Sequence, residues 1–231
     1  MDINLIGAGG RIQASYHKSK VAGAPIAVIF HDIPQNGGNM NEQVAYTLFY
    51  SFMQRGFNVI RFNFRGVGNT QGTFENGEAE LTDASTVVDW IQEQNEESSE
   101  FWLAGVGFGA WVAMQILMRR IEITGYIAVS PQLKKYDFSF FNPVPCDGLL
   151  IESEAENLIL ENSIKSFVNS VNKQKTSKLD HEIIKDANSR YDKKLKDLFT
   201  LVTKYLNKKL PWFCIHIIKW NNKIIWIGKF I

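Results

Sequence analysis

Residues 104–111 read AGVGFGAW, and the fold turns on how this stretch is read. The apolar run FWLAGV leads into it, as in a strand covered on both faces. The amphipathic run AWVAMQILMRR leaves it, with the pattern of a helix. Between them Gly105, Gly107 and Gly109 mark a tight turn. The local prediction is strand, sharp turn, helix.

The same alternation extends in both directions. Residues 11–17 (RIQASYH) alternate like a half-buried strand, and IAVIF (26–30) is a continuous apolar run. HDIPQNGGN reads as a loop, with Pro34 and two glycines. Val44, Leu48 and Phe52 predict a helix over 41–55, stopped at Gly56. NVIRFNF (58–64) is a strand, followed by the loop RGVGNTQG and by a helix over 78–94. A helix over 109–120 follows the turn, then strands GYIAVS (125–130) and GLLIES (148–153). Between those two strands, PQLKKYDFSFFNPVPCD has no period and is expected to pack on its own aromatics. Helix 161–174, strand HEIIK (181–185) and helix 192–209 complete the series. Strands and helices in alternation predict an α/β domain: a mostly parallel sheet with helices on both faces. Ligands in such sheets bind beyond the carboxyl ends of the strands. The loops 31–39, 65–73, 105–109, 152–160 and 186–191 all follow strands, so the chemistry is expected on that edge.

Composition bounds the function. The chain has 231 residues, 45% apolar and 21% charged, which fits one soluble domain. A net charge of +1 gives no electrostatic reason to expect nucleic acid. Cys146 and Cys214 show no metal-ligand spacing, so neither a metal site nor a disulfide framework is indicated, and no cofactor is expected. The N-terminus MDINLIGAGGRIQ has no basic and apolar regions of a signal peptide, and no run reaches spanning length. A reducing, cytoplasmic setting is the expectation. RGVGNTQG lacks the Lys-Ser/Thr of a phosphate loop, and Arg65 is expected to brace loops through backbone carbonyls.

Several segments, in order and at the right strand ends, resemble the α/β-hydrolase fold family. They are HDIPQNGGNMN, RFNFRGVGNTQG, AGVGFGAW, YDFSFF and the spacing of the last strands. The likeness is to small bacterial, cap-less serine hydrolases of esterase or peptidase type, and it covers roughly residues 5–209. It implies a Ser, Asp/Glu, His triad in that chain order, with Gly-x-Ser-x-Gly at the elbow. Serine attacks the carbonyl, histidine moves the proton, and the acid orients the histidine. At the serine position this chain has Gly107. At the histidine position, in KDANSRY, it has Ser189. After GLLIES, both Glu154 and Glu156 match acidic positions, and Glu156 is the better match. The resemblance places His31, Asp32, Gly37, Gly38 and the amide of Phe108 around the oxyanion pocket. His31 either faces that pocket or hydrogen-bonds its own loop. Ser130 ends a strand near the pocket without an evident base, and His181 sits in the wrong place for the triad.

Residues 210–231, LPWFCIHIIKWNNKIIWIGKFI, carry three of six tryptophans, three lysines and no acid, and lie beyond the resemblance. Three readings stand: a hairpin turning at Asn221-Asn222, a segment at a membrane interface, or sequence without a selected role. The third is favoured, since no single apolar face is built consistently. The expected organisation is thus an α/β-hydrolase domain at 1–209 and an atypical apolar, basic tail at 210–231. The expected function is a serine-hydrolase homologue impaired in catalysis, with room for a small ligand. The alternative is an active hydrolase of small esters or amides working through His31 or Ser130.

Overall fold

The computed structural model describes residues 1–211, 214–220 and 223–229. Its centre is an eight-stranded sheet in the order β1-β2-β4-β3-β5-β6-β7-β8. The strands are β1 (Asp2–Gly7), β2 (Gly10–His17), β3 (Ile26–Phe30), β4 (Asn58–Phe62), β5 (Phe101–Val106), β6 (Gly125–Val129), β7 (Gly148–Ser153) and β8 (Leu179–Ile184). β1 and β2 pair antiparallel, β2 runs antiparallel to β4, and every later pairing is parallel.

Side chains alternate along each strand, so the two faces collect different residues. Val28, Phe30, Ile60, Phe62, Leu103, Tyr126 and Leu150 face one core. The helices α2 (Glu78–Glu93), α3 (Phe108–Leu117) and α4 (Glu154–Lys173) cover it. Ala27, Ile29, Val59, Trp102, Ile127 and Ile151 face the other core, under α1 (Gln43–Gln54) and α5 (Leu195–Lys209). Two-sided burial explains why the central strands read as unbroken apolar runs. The segment between β6 and β7 does pack on aromatics: Phe141 lies 5.5 Å from Tyr126 and 6.0 Å from Phe167 of α4.

Two local expectations change. Helix α4 begins at Glu154, not at 161, because Ser153 Oγ caps it by accepting the Glu156 N–H at 3.3 Å. Glu154 and Glu156 therefore sit in the first helical turn rather than on a loop. Arg65 does not brace carbonyls. Its guanidinium forms a two-bonded pair with Asp83 of α2, Nε to Oδ2 at 2.9 Å and Nη2 to Oδ1 at 2.8 Å, and reaches Glu75.

In the tail, β9 (Cys214–Trp220) pairs antiparallel with β10 (Lys223–Lys229) in a two-stranded sheet of its own. Asn221 and Asn222, where a turn is expected, lie outside the described residues. Among the described residues no helix is long and apolar enough to cross a membrane.

Candidate active site

The elbow is built by close approach. A Cβ on Gly105 would lie 2.5 Å from the backbone of Gly109, and one on Gly109 would overlap the carbonyl of His31. The start of α3 thus rests directly on the ends of β5 and β3. Between them, Gly107 has φ +53° and ψ −114°, a region that disfavours any residue with a Cβ. This is the sharp strand-to-helix turn that a nucleophile elbow requires.

The space above Gly107 is occupied. A Cβ there would lie 2.6 Å from Asp32 Cγ and overlap its Oδ1. Asp32 Oδ1 accepts the Phe108 N–H at 2.9 Å, and Oδ2 accepts from Asn36 Nδ2 at 3.2 Å. Gly107 has no side chain to cap α3, so the Asp32 carboxylate caps it from the neighbouring loop. A negative group at a helix N-terminus is favourable on both hydrogen-bonding and dipole grounds. The amide that the resemblance assigns to an oxyanion therefore holds an internal carboxylate.

The other expected donors are also engaged. Gly37 N–H donates to Pro34 O at 2.8 Å and Gly38 N–H to Ile33 O at 3.2 Å, closing a short 3₁₀ turn at Pro34–Asn36. His31 is 1% exposed. Its Nδ1 lies 2.6 Å from the Asp32 carbonyl, which can only accept, so Nδ1 carries the proton. Its Nε2 accepts the Phe64 N–H at 3.0 Å. Burial lowers its pKa to about 4, against the backbone bond to Asp32. His31 is thus a neutral staple between the loops after β3 and β4, with both nitrogens used by the backbone.

The acid and histidine positions do not meet as a relay. Ser189 is exposed on the turn after β8. Two residues on, Tyr191 turns inward, fully buried, with its hydroxyl 2.8 Å from Ser130 Oγ. Burial raises the Tyr191 pKa well above the ordinary value, so its phenol keeps its proton. Ser130 has φ +46°, a strained conformation for a residue with a Cβ. Glu156 donates its N–H to Ser153 Oγ, and burial raises the pKa of its carboxyl, against the influence of the Ser130 and Ser153 hydroxyls. His181 is mid-strand on β8, paired opposite Leu150, with its pKa lowered by burial.

Three participants were not anticipated from sequence. Glu42 precedes α1 and accepts the Asp32 N–H at 2.9 Å. Burial, aided by the Asp32 charge, pushes its pKa up to about 7. Glu152 of β7 is 1% exposed, and burial beside Glu156 pushes it up to about 9. Tyr136 is pushed up to about 12 by burial and the Asp32 charge. Its ring stacks on Trp111 at 5.3 Å and lies 5.5 Å from Phe108. Glu152 had a readable signal: an acid inside an apolar run predicted to be covered on both faces.

The geometry has known counterparts. A family model described as X-Pro dipeptidyl-peptidase (S15 family) matches residues 12–200. An uncharacterised protein of Rickettsia prowazekii (strain Madrid E) is 38% identical over 204 residues, covering 87% of this chain and 86% of that protein. A candidate α/β hydrolase of unknown function from Agrobacterium tumefaciens is 41% identical, with a TM-score of 0.88 over 91% of this chain and 97% of its own. An α/β serine hydrolase homologue from Coxiella burnetii is 26% identical, with a TM-score of 0.81 over 89% and 97%. A lidless serine hydrolase from Xanthomonas campestris is also 26% identical, with a TM-score of 0.80 over 91% and 95%. The matched span runs from β2 through the elbow into α5, and on that evidence the chain belongs to the S15 peptidase family, with the α/β-hydrolase fold.

Proposed function

We propose that this chain is a non-catalytic member of its family, keeping the hydrolase scaffold without an acyl-transfer centre. One observation carries the reading: Asp32 takes both the space of an apex side chain and the Phe108 amide. A serine hydrolase needs a nucleophile at that apex and a free donor for the oxyanion. Here the apex has no side chain, and the donor already holds a negative charge. A carboxylate at this point also repels the oxyanion that would develop beside it.

The reading predicts what restores activity and what does not. The double variant Gly107→Ser, Ser189→His is expected to stay silent on a short-chain p-nitrophenyl ester, because its new hydroxyl must displace Asp32. Adding Asp32→Ala clears the apex and frees the Phe108 amide. Turnover is then expected to appear, at least about 10-fold above the double variant; one oxyanion donor alone is worth about 10²–10³ in kcat. Saturable turnover by the natural protein above a heat-killed control overturns the proposal.

A second reading has one observation in its favour. Ser130 is strained, and its hydroxyl acts on the pKa of Glu156, a carboxyl that burial raises toward the range of a general base. Hydrolysis through Ser130 would be abolished by Ser130→Ala, whereas the non-catalytic reading expects that variant to match the natural protein.

A further inference from the structure

We propose that the apolar, basic tail of this chain docks on its own domain, across the amino edge of the sheet, with its lysines against Glu93, Glu96 and Glu97.

The tail needs a cover. Two strands alone are marginal in water, and β9 and β10 pair with each other in a sheet of their own. Their register puts Ile215, Ile217, Ile224 and Trp226 on one face. Ile218, Ile225 and Ile227 share the other face with Lys223 and Lys229. Apolar surface of this extent marks a contact. The family match stops at residue 200, before the tail begins.

The start of the tail limits what it can reach. Helix α5 ends at the amino edge, where Lys208 meets Asp180 near the start of β8 at 3.0 Å and Lys209 meets Asp147 just before β7. Leu210 is buried, and its carbonyl accepts from Arg55 Nη2 at 2.6 Å. Arg55 lies three residues before Asn58, which opens β4 and lines a cleft of about 530 Å³ together with Glu93, Glu96 and Glu97. A second cleft, of about 700 Å³, shares Glu93 and Glu96. It adds apolar lining from Ile26, Phe101 and Ile121, the last 98% exposed. Residues 211–213 precede β9 and can span about 10 Å, so the hairpin starts close to these clefts.

Charge selects this edge. The tail carries three lysines and no acid. Glu93, Glu96 and Glu97 are exposed, and none is in an ion pair among the described residues. Asp89 and Glu122, which also line the larger cleft, are matched by Arg120. Of the two lysines lining the smaller cleft, Lys18 is held by Gln94 O and Asn95 Oδ1, which leaves Lys20 as the opposing charge.

Two rival seats are disfavoured. The same glutamates repel an anionic lipid surface beside the point where the tail leaves the domain. The free edge of the sheet, at β8, is wrong by handedness. Helix α4 links β7 to β8 across one face, and α5 lies on the opposite face. A β9 laid parallel beside β8 would therefore make a left-handed crossover, found in about 2% of such connections.

The test is carbodiimide coupling of the full natural chain, which joins a lysine to a carboxylate in direct contact. It is read by mass spectrometry on an equal mixture of ordinary and heavy-isotope protein. Coupling of Lys219, Lys223 or Lys229 to Glu93, Glu96 or Glu97 within one isotope is expected. The second measurement is hydrogen exchange at the amides of β9 and β10. The combined variant Glu93→Lys, Glu96→Lys, Glu97→Lys is expected to speed it at least about 10-fold, and adding Lys219→Glu, Lys223→Glu and Lys229→Glu to slow it again. No such coupling, coupling to Asp180 or Glu182 of β8 instead, coupling between isotopes (a second copy as the seat), or exchange unmoved by the reversals would overturn the proposal. The coupling needs no variant, so a poorly folding reversal does not remove the test. The docking edge lies opposite the candidate active site, so this inference and the non-catalytic reading can fail separately.

Discussion

Asp83→Ala is expected to lower the unfolding free energy by about 3–5 kcal/mol, the largest effect of any single substitution considered. Asp83 is 1% exposed and its two oxygens meet the Arg65 fork at 2.8 and 2.9 Å. Asp83 lies on α2, and Arg65 on the loop after β4, so the pair ties that loop to the helix layer. Removing the carboxylate leaves a buried guanidinium whose remaining ion-pair partner among the described residues is the exposed Glu75, at 3.6 Å. The pair itself is a different quantity. Its attraction is offset by the cost of taking two charges out of water, so replacing both partners with apolar residues of similar volume is expected to cost far less than the single change. Urea unfolding of the single and the double variant separates the two. A loss below about 1 kcal/mol in Asp83→Ala would mean the pair is effectively solvated.

The second large effect is on the pH dependence of stability, and it comes from Glu152. In the unfolded chain this carboxyl ionises at its ordinary 4.5, whereas burial holds it protonated in the folded chain up to about 9. Between those values the folded state binds the extra proton. Stability is therefore expected to fall as pH rises, by up to about 1.4 kcal/mol per pH unit. His31 acts in the opposite sense but in a lower window. Its folded pKa of about 4 lies below the ordinary 6.5, so its contribution grows up to pH 6.5 and is constant above. The interval from about 8 to 9 lies above the ordinary histidine value and above the value of about 7 for Glu42, so Glu152 dominates there. There the natural protein should lose stability steadily, and Glu152→Gln, which cannot ionise, should show a flatter curve. Parallel curves for the two proteins would show that Glu152 is ionised and matched in the folded state.

The sheet and most of its helices were legible because burial on two faces writes itself into the strands as apolar runs. IAVIF, FWLAGV and GLLIES coincide with β3, β5 and β7. The edges were harder. β1 has only one residue of six buried, with Ile6 81% exposed, so its pattern resembles a loop. The start of α4 was missed because its first two turns place Leu158 and Ile159 outward, 75% and 73% exposed, where no apolar stripe can form. The capping serine and the acids behind it were the available signal.

The site divides along the same line. That Gly107 stands at the apex and Ser189 in the turn after β8 could be read from order along the chain. That Asp32 reaches the Phe108 amide could not, since the two lie 76 residues apart and the bond exists only when β3 and β5 are neighbours. Asp32 was singled out for its position beside the pocket. The structure adds what its carboxylate does there, and so gives Gly107 a reason beyond backbone strain: a side chain and the carboxylate cannot share the apex.

The most direct test of the central claim is the intact mass of the natural protein after incubation with a fluorophosphonate, which phosphonylates activated serine. The account predicts an unchanged mass, with the elbow amide held by Asp32 and no hydroxyl at position 107. A single stoichiometric adduct, mapped to Ser130 or any other residue, would contradict it and establish a working nucleophile in this fold.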